Sequence, residues 1–152
     1  MTLRDTARVP VVAVALVVAG GAIWMLAGVL YGAQVVTCFS CSSVVVAPGI
    51  SAESYPAEAI RNLAWDALYA NLYVVTVGFL ATAIGLRAFK RGERWAWYAI
   101  AAFALSGVLT ALLDYLAWGG WYTFFFLGLL PLLGLILSAR SFFPGRGTPK
   151  AG

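Results

Sequence analysis

Four apolar stretches, each long enough to cross a lipid bilayer, divide this 152-residue chain, and its cations fall almost entirely on one side of them. The stretches run over Val9–Tyr31, Leu63–Leu86, Trp95–Trp118 and Trp121–Phe143. About 20 helical residues cross the roughly 30 Å hydrocarbon core, so each is a spanning candidate. Alternate threading gathers Arg4, Arg8, Arg87, Lys90, Arg91, Arg94, Arg140, Arg146 and Lys150 on one side, which is nine of the ten Lys and Arg residues. Arg61 alone falls on the other. Insertion machinery reads such a bias as cytoplasmic. The expected fold is therefore all-α: a polytopic membrane four-helix bundle, up-down, N-in/C-in. It forms one integral membrane domain over 1–152, with an outer loop over 33–62. The expected location is the cytoplasmic (cell) membrane, multi-pass, with both termini cytoplasmic.

Composition narrows the function classes. Hydrophobic residues make up 62% of the chain and charged residues 11%, against about 25% charged in soluble domains. That leaves too little polar surface to coat a water-soluble body. The net charge of +4 sits at the ends of the spans. There it meets anionic headgroups, so it argues for membrane lipids and not for nucleic acid. The absence of His removes the Ser-His-Asp set, the usual haem ligand and the usual zinc ligand. The first apolar run is far longer than the 7–15 residues or so of a signal-peptide core, and no A-x-A-like site follows it, so it reads as a retained helix.

Local signals place the helix ends. Pro10 is tolerated in a first turn, where its missing N–H has no helical partner. Gly28 and Gly32 form a small-xxx-small pair that lets another helix approach closely, most simply within the bundle. Pro48 and Gly49 break any helix in the outer loop. Pro56 with Glu58 in the next turn reads as a helix start, so the second helix begins outside the bilayer. Pro131 inside the fourth span is expected to kink it and free a carbonyl. Trp95, Trp97 and Tyr98 mark the inner interface, and Trp118, Trp121 and Tyr122 the outer one. No internal repeat is visible, which argues against an inverted-repeat transporter in one chain.

The stretch Arg91-Gly92-Glu93-Arg94-Trp95-Ala96-Trp97-Tyr98 resembles a motif of small four-span membrane proteins of bacteria and archaea. Those proteins often also carry a Gly-Ile/Met-Ser…Pro pattern in the outer loop, matched here by Gly49-Ile50-Ser51 and Pro56. The resemblance covers roughly Pro48 to Tyr98, about a third of the chain. That family has no assigned activity, so the resemblance implies no catalytic residue. The motif also has a plain physical account: basic residues fix the inner end, and Trp95 and Trp97 seat the helix at the headgroups.

Three groups of residues are able to carry chemistry. Cys38 and Cys41 form a C-x-x-C pair on the oxidising side. They read either as a structural disulfide or inert thiols, or as a redox pair passing electrons to a quinone. Disulfide-forming membrane oxidoreductases use a second cysteine pair, and this chain has only two Cys. Asn62, Asp66, Tyr69 and Tyr73 share one helix face by their spacing. With Asn71, Asp114 and Tyr115 they are candidates to line an outward-facing polar pocket for a cation or a lipophilic headgroup. Arg87, Lys90, Arg91 and Arg94 either bind lipid heads or only set topology. No phosphate loop and no Gly-x-Ser-x-Gly occurs, and no metal site is expected. The leading expectation is a non-enzymatic membrane protein without a cofactor. It would pack with itself as a homo-oligomer, join a larger membrane complex, or hold a lipophilic molecule in the outward pocket. Two alternatives stand beside it: a quinone-linked thiol oxidoreductase, and an oligomeric transporter or channel using Asp66 and Asp114.

Overall fold

Four helices account for nearly all of the described residues, none of which lies in a strand. The structure, a computed structural model, describes residues 8–37, 55–118 and 124–143, with the side chains of 114, 117–118 and 124–127 excepted. Helix α1 runs over Val11–Thr37 and α2 over Ala57–Ile84. The second continues without a break into a five-residue π-helical turn, Gly85–Phe89. Helix α3 spans Arg94–Trp118 and α4 Phe124–Phe142. Three of the helices are long and apolar enough to cross a membrane. In α4 the fully described apolar stretch is the shorter Gly128–Phe142.

The helices outrun the apolar stretches at the end away from the basic loop. Helix α1 continues past Tyr31 to Thr37, and α2 begins at Ala57, ahead of Leu63. Backbone hydrogen bonding needs no hydrocarbon around it, so Gly32, Ala33 and Gln34 extend a helix already nucleated. Pro56 occupies the N-cap of α2, and Glu58 lies in its first turn beside the positive end of the dipole.

Small residues decide which helices touch. A Cβ added at Gly78 of α2 would stand 2.5 Å from the Met25 nitrogen and 2.7 Å from the Gly21 carbonyl oxygen. One added at Gly28 would stand 2.9 Å from the Asn71 carbonyl oxygen. The α1–α2 pair is thus closed at glycine distance, antiparallel, and the small pair Gly28/Gly32 is used inside the chain. Helix α4 crosses the other side of α1, where the Pro131 ring fills the space over Gly20 and Gly134 meets the Ala13 carbonyl. Helix α3 in turn packs on α4 at Gly107 and Gly128. The lateral order is therefore α2, α1, α4, α3.

The sequential neighbours α2 and α3 meet little. A shallow groove of about 250 Å³ separates them, lined by Val77, Leu80, Ile84, Ala99 and Phe103. Trp24 of α1 reaches across to Phe103 of α3 edge-on, with ring centroids 5.4 Å apart. The buried side chains include many alanines, Ala13, Ala64, Ala81, Ala96, Ala104 and Ala111 among them, beside larger ones such as Trp24, Phe89, Ile100, Phe103, Leu135 and Phe142. The exposed ones include Leu26, Leu30, Leu72, Leu105, Leu109 and Leu116.

Candidate functional site

A cavity of about 600 Å³ opens at the basic end of the helices. It lies between the first turns of α1, the π-helical turn with its following loop, and Ser141 in the last turn of α4. Its floor is apolar, formed by Val11, Val14, Ala15 and Val18 of α1 and by Leu86. Its rim carries three cations, Arg8, Lys90 and Arg91, all exposed.

The loop that presents two of those cations depends on one glycine. Gly92 adopts φ 76°, a left-handed conformation that costs other L-residues roughly 1–2 kcal/mol. The Glu93 amide donates to the Ala88 carbonyl at 3.1 Å, and the Gly92 amide to the Phe89 carbonyl at 2.9 Å. These are the paired bonds of a Schellman cap. They satisfy the terminal carbonyls and turn the chain sharply, so Lys90 and Arg91 stand out at the helix end. The turn before it is π-helical: the Lys90 amide reaches the Gly85 carbonyl at 3.2 Å. Such a turn widens the helix and shifts the register of the residues beyond it. Here Ala88 and Phe89 point into the core while Leu86 borders the cavity. Phe89 then stacks on Phe142 with centroids 4.9 Å apart, which anchors the loop to α4.

The third cation comes from the other end of the sequence. The Ser141 hydroxyl donates to the Arg8 carbonyl at 3.4 Å and holds that segment against α4. The Val14 amide donates to the Pro10 carbonyl at 3.2 Å. The amides of Val11, Val12 and Ala13 precede any helical acceptor. They add the positive end of the α1 dipole to the field of the rim. Glu93, the acid of this loop, is absent from the described lining; its Oε2 accepts from the Trp95 indole at 2.6 Å.

The residues singled out in the sequence are distributed differently. Lys90 and Arg91 reach the rim, whereas Arg87 and Arg94 are exposed away from the described lining. Asp66, Tyr69 and Tyr73 do share a face of α2, but all three are exposed, Tyr73 at 72%. Asn71 faces the other way, into a groove of about 400 Å³ beside Gly28 and Gly32. Its Nδ2 donates back to the Ala67 carbonyl at 2.8 Å. Tyr115 is 43% exposed on α3. The Asp114 side chain, Cys38 and Cys41 lie outside the described residues. Trp95 is exposed as a headgroup anchor would be. Trp97 instead turns inward and donates its indole N–H to the Leu135 carbonyl of α4 at 3.3 Å. Its ring also meets Phe143 edge-on at 5.2 Å.

Sequence reasoning missed Arg8 and the valine floor as parts of a site. The charge bias put Arg8 on the same side as the loop. Nothing local says that α1 packs beside the π turn and brings them together. Comparison with protein-family models, curated proteins and solved structures finds no match for this chain, so the meaning of the site rests on its own geometry.

Proposed function

We propose that this chain is a small integral membrane protein of four spans, up-down with both termini cytoplasmic, that acts by binding. Its cytoplasmic end holds a lipophilic molecule in the cavity between α1, the π turn and α4. The observation that carries this reading is the apolar floor of Val11, Val14, Ala15, Val18 and Leu86 beneath a cationic rim. This reading sets the binding site at the opposite end of the bundle from the outward-facing pocket expected from the sequence.

The distribution of side chains supports residence in lipid. Glycines set the closest helix contacts and many leucines face outward, the pattern favoured where lipid tails are as apolar as leucine and close approach drives association. The acidic residues fit the same frame. Asp66 lies 21 residues before Arg87, and Asp114 lies 20 residues after Arg94. At about 1.5 Å per residue, each is about 30 Å from the basic loop, one hydrocarbon thickness. Both then stand at the outer interface, where water reaches a carboxylate. Trp65 and Tyr69, whose rings are 6.2 Å apart, belong to the outer aromatic belt at that level. Asp66→Asn should accordingly change stability by less than about 0.5 kcal/mol in detergent-unfolding titrations. A gain larger than that would put Asp66 inside the hydrocarbon, where a neutral amide costs less than a carboxylate.

The test of the binding role is retention of lipid by the purified protein. In native mass spectra from a nonionic detergent, the wild type should keep at least one lipid. Ala15→Trp, which fills the floor from an exposed position, should release it without lowering the unfolding midpoint. Equal retention by both would end this reading.

A further inference from the structure

We infer that the molecule held in this cavity is an acidic phospholipid of the cytoplasmic leaflet, its phosphate set among Arg8, Lys90 and Arg91 and one acyl chain laid along the α1 valines. The inference rests on the reading of the cavity as a lipophile site. The chemistry of the rim selects the head. Three cations face the mouth, and no carboxylate is among the described lining residues. The one acid of the loop, Glu93, is engaged by the Trp95 indole. The amides that begin α1 add a fourth source of positive potential. A phosphodiester offers oxygen acceptors that two guanidinium groups and an ammonium bind by charge-assisted hydrogen bonds. A zwitterionic head would bring its own ammonium group among three cations, with no carboxylate among the described lining residues to receive it. An anionic head without such a group meets no repulsion.

The floor selects the rest of the molecule. Val11, Val14, Ala15 and Val18 lie on successive turns of one side of α1, and Leu86 closes them from the π turn. This strip runs from the cations toward the middle of the helix, as an acyl chain runs from its phosphate into the bilayer. The volume of about 600 Å³ is of small-ligand size, and the site lies open along its side, with Val11 83% and Leu86 54% exposed, as a groove for an acyl chain would be. A free anion would leave the strip empty.

The experiment titrates the purified full chain in nonionic detergent with dioleoyl-phosphatidylglycerol and, separately, dioleoyl-phosphatidylcholine, reading retained lipid by native mass spectrometry. The wild type should retain phosphatidylglycerol at least about tenfold more strongly, and the preference should shrink at high salt. The triple change Arg8→Gln, Lys90→Gln, Arg91→Gln should weaken phosphatidylglycerol by about 100-fold, about fivefold per cation, and leave phosphatidylcholine unchanged. Lys90→Gln alone should give the fivefold step, which keeps the test open should the triple variant fail to insert. A control triple, Arg87→Gln, Arg94→Gln, Arg140→Gln, removes the same charge away from the rim and should keep the preference. Equal retention of the two lipids by the wild type, or equal loss in the two triples, overturns the headgroup assignment while the lipophile cavity stands. Displacement of phosphatidylglycerol by inorganic phosphate overturns it too, in favour of a plain anion site. Loss of neither lipid in Ala15→Trp brings down the cavity reading itself.

Discussion

Gly78→Leu should destabilise the folded protein by about 3 kcal/mol or more, a larger effect than any single loss of a polar contact here. Even the first carbon of the new side chain would stand 2.5 Å from the Met25 nitrogen and 2.7 Å from the Gly21 carbonyl oxygen. Both obstacles are backbone atoms, which no rotamer change moves aside. Helices α1 and α2 would have to separate, and the shared wall of small residues would open along with them. Denaturant titration in mixed micelles, followed by far-UV circular dichroism, measures the loss. Gly32→Ala is the matched control. Among the described residues its added Cβ would meet the Asn71 Cβ at 3.6 Å, an ordinary contact. It should be neutral or slightly stabilising, since it removes a helix-interior glycine. If Gly78→Leu proves as mild as Gly32→Ala, α1 and α2 do not close on each other through Gly78.

Phe89→Ala should cost about 3 kcal/mol and should also blunt the lipid preference. Phe89 is fully buried, and its partner Phe142 is 2% exposed. Removing one ring leaves a cavity that close-packed neighbours fill only in part. The same ring holds the Schellman-capped loop against α4, so its loss frees Lys90 and Arg91 from the rim. A double cycle with Phe142→Ala separates the two effects. The rings should show a coupling of about 0.5–1.5 kcal/mol in stability. The phosphatidylglycerol preference should fall in each single variant and fall no further in the double. Intact preference in Phe89→Ala would show that the cations hold their positions without this anchor.

Much of the architecture is legible from residues. The apolar stretches announce four helices, and Pro56 with Glu58 announces the start of α2 before its hydrocarbon. Gly28 and Gly32 announce a close helix contact, which is met by Asn71 and Val75 of α2 within the same chain. Asp66, Tyr69 and Tyr73 share a face of α2 that is exposed in the single chain. That face is exposed because α2 lies at the edge of the row and packs chiefly on α1. Trp97 reads from sequence as an interfacial anchor because hydropathy cannot tell an indole that meets headgroups from one that bonds the next helix.

By itself the sequence determined the helical class, the number of helices and the basic end. These rest on short-range properties: the hydropathy of consecutive residues and the charge between them. The tertiary structure alone decided the order α2, α1, α4, α3, and with it which cations meet. Apolar side chains gain little by choosing a neighbouring helix over lipid. The choice falls to steric closeness at Gly20, Gly21, Gly78, Gly107, Gly128 and Gly134, where backbones approach only in one arrangement. Arg8 joins Lys90 and Arg91 because that arrangement sets α1 beside the π turn, a relation between distant segments that no local pattern encodes.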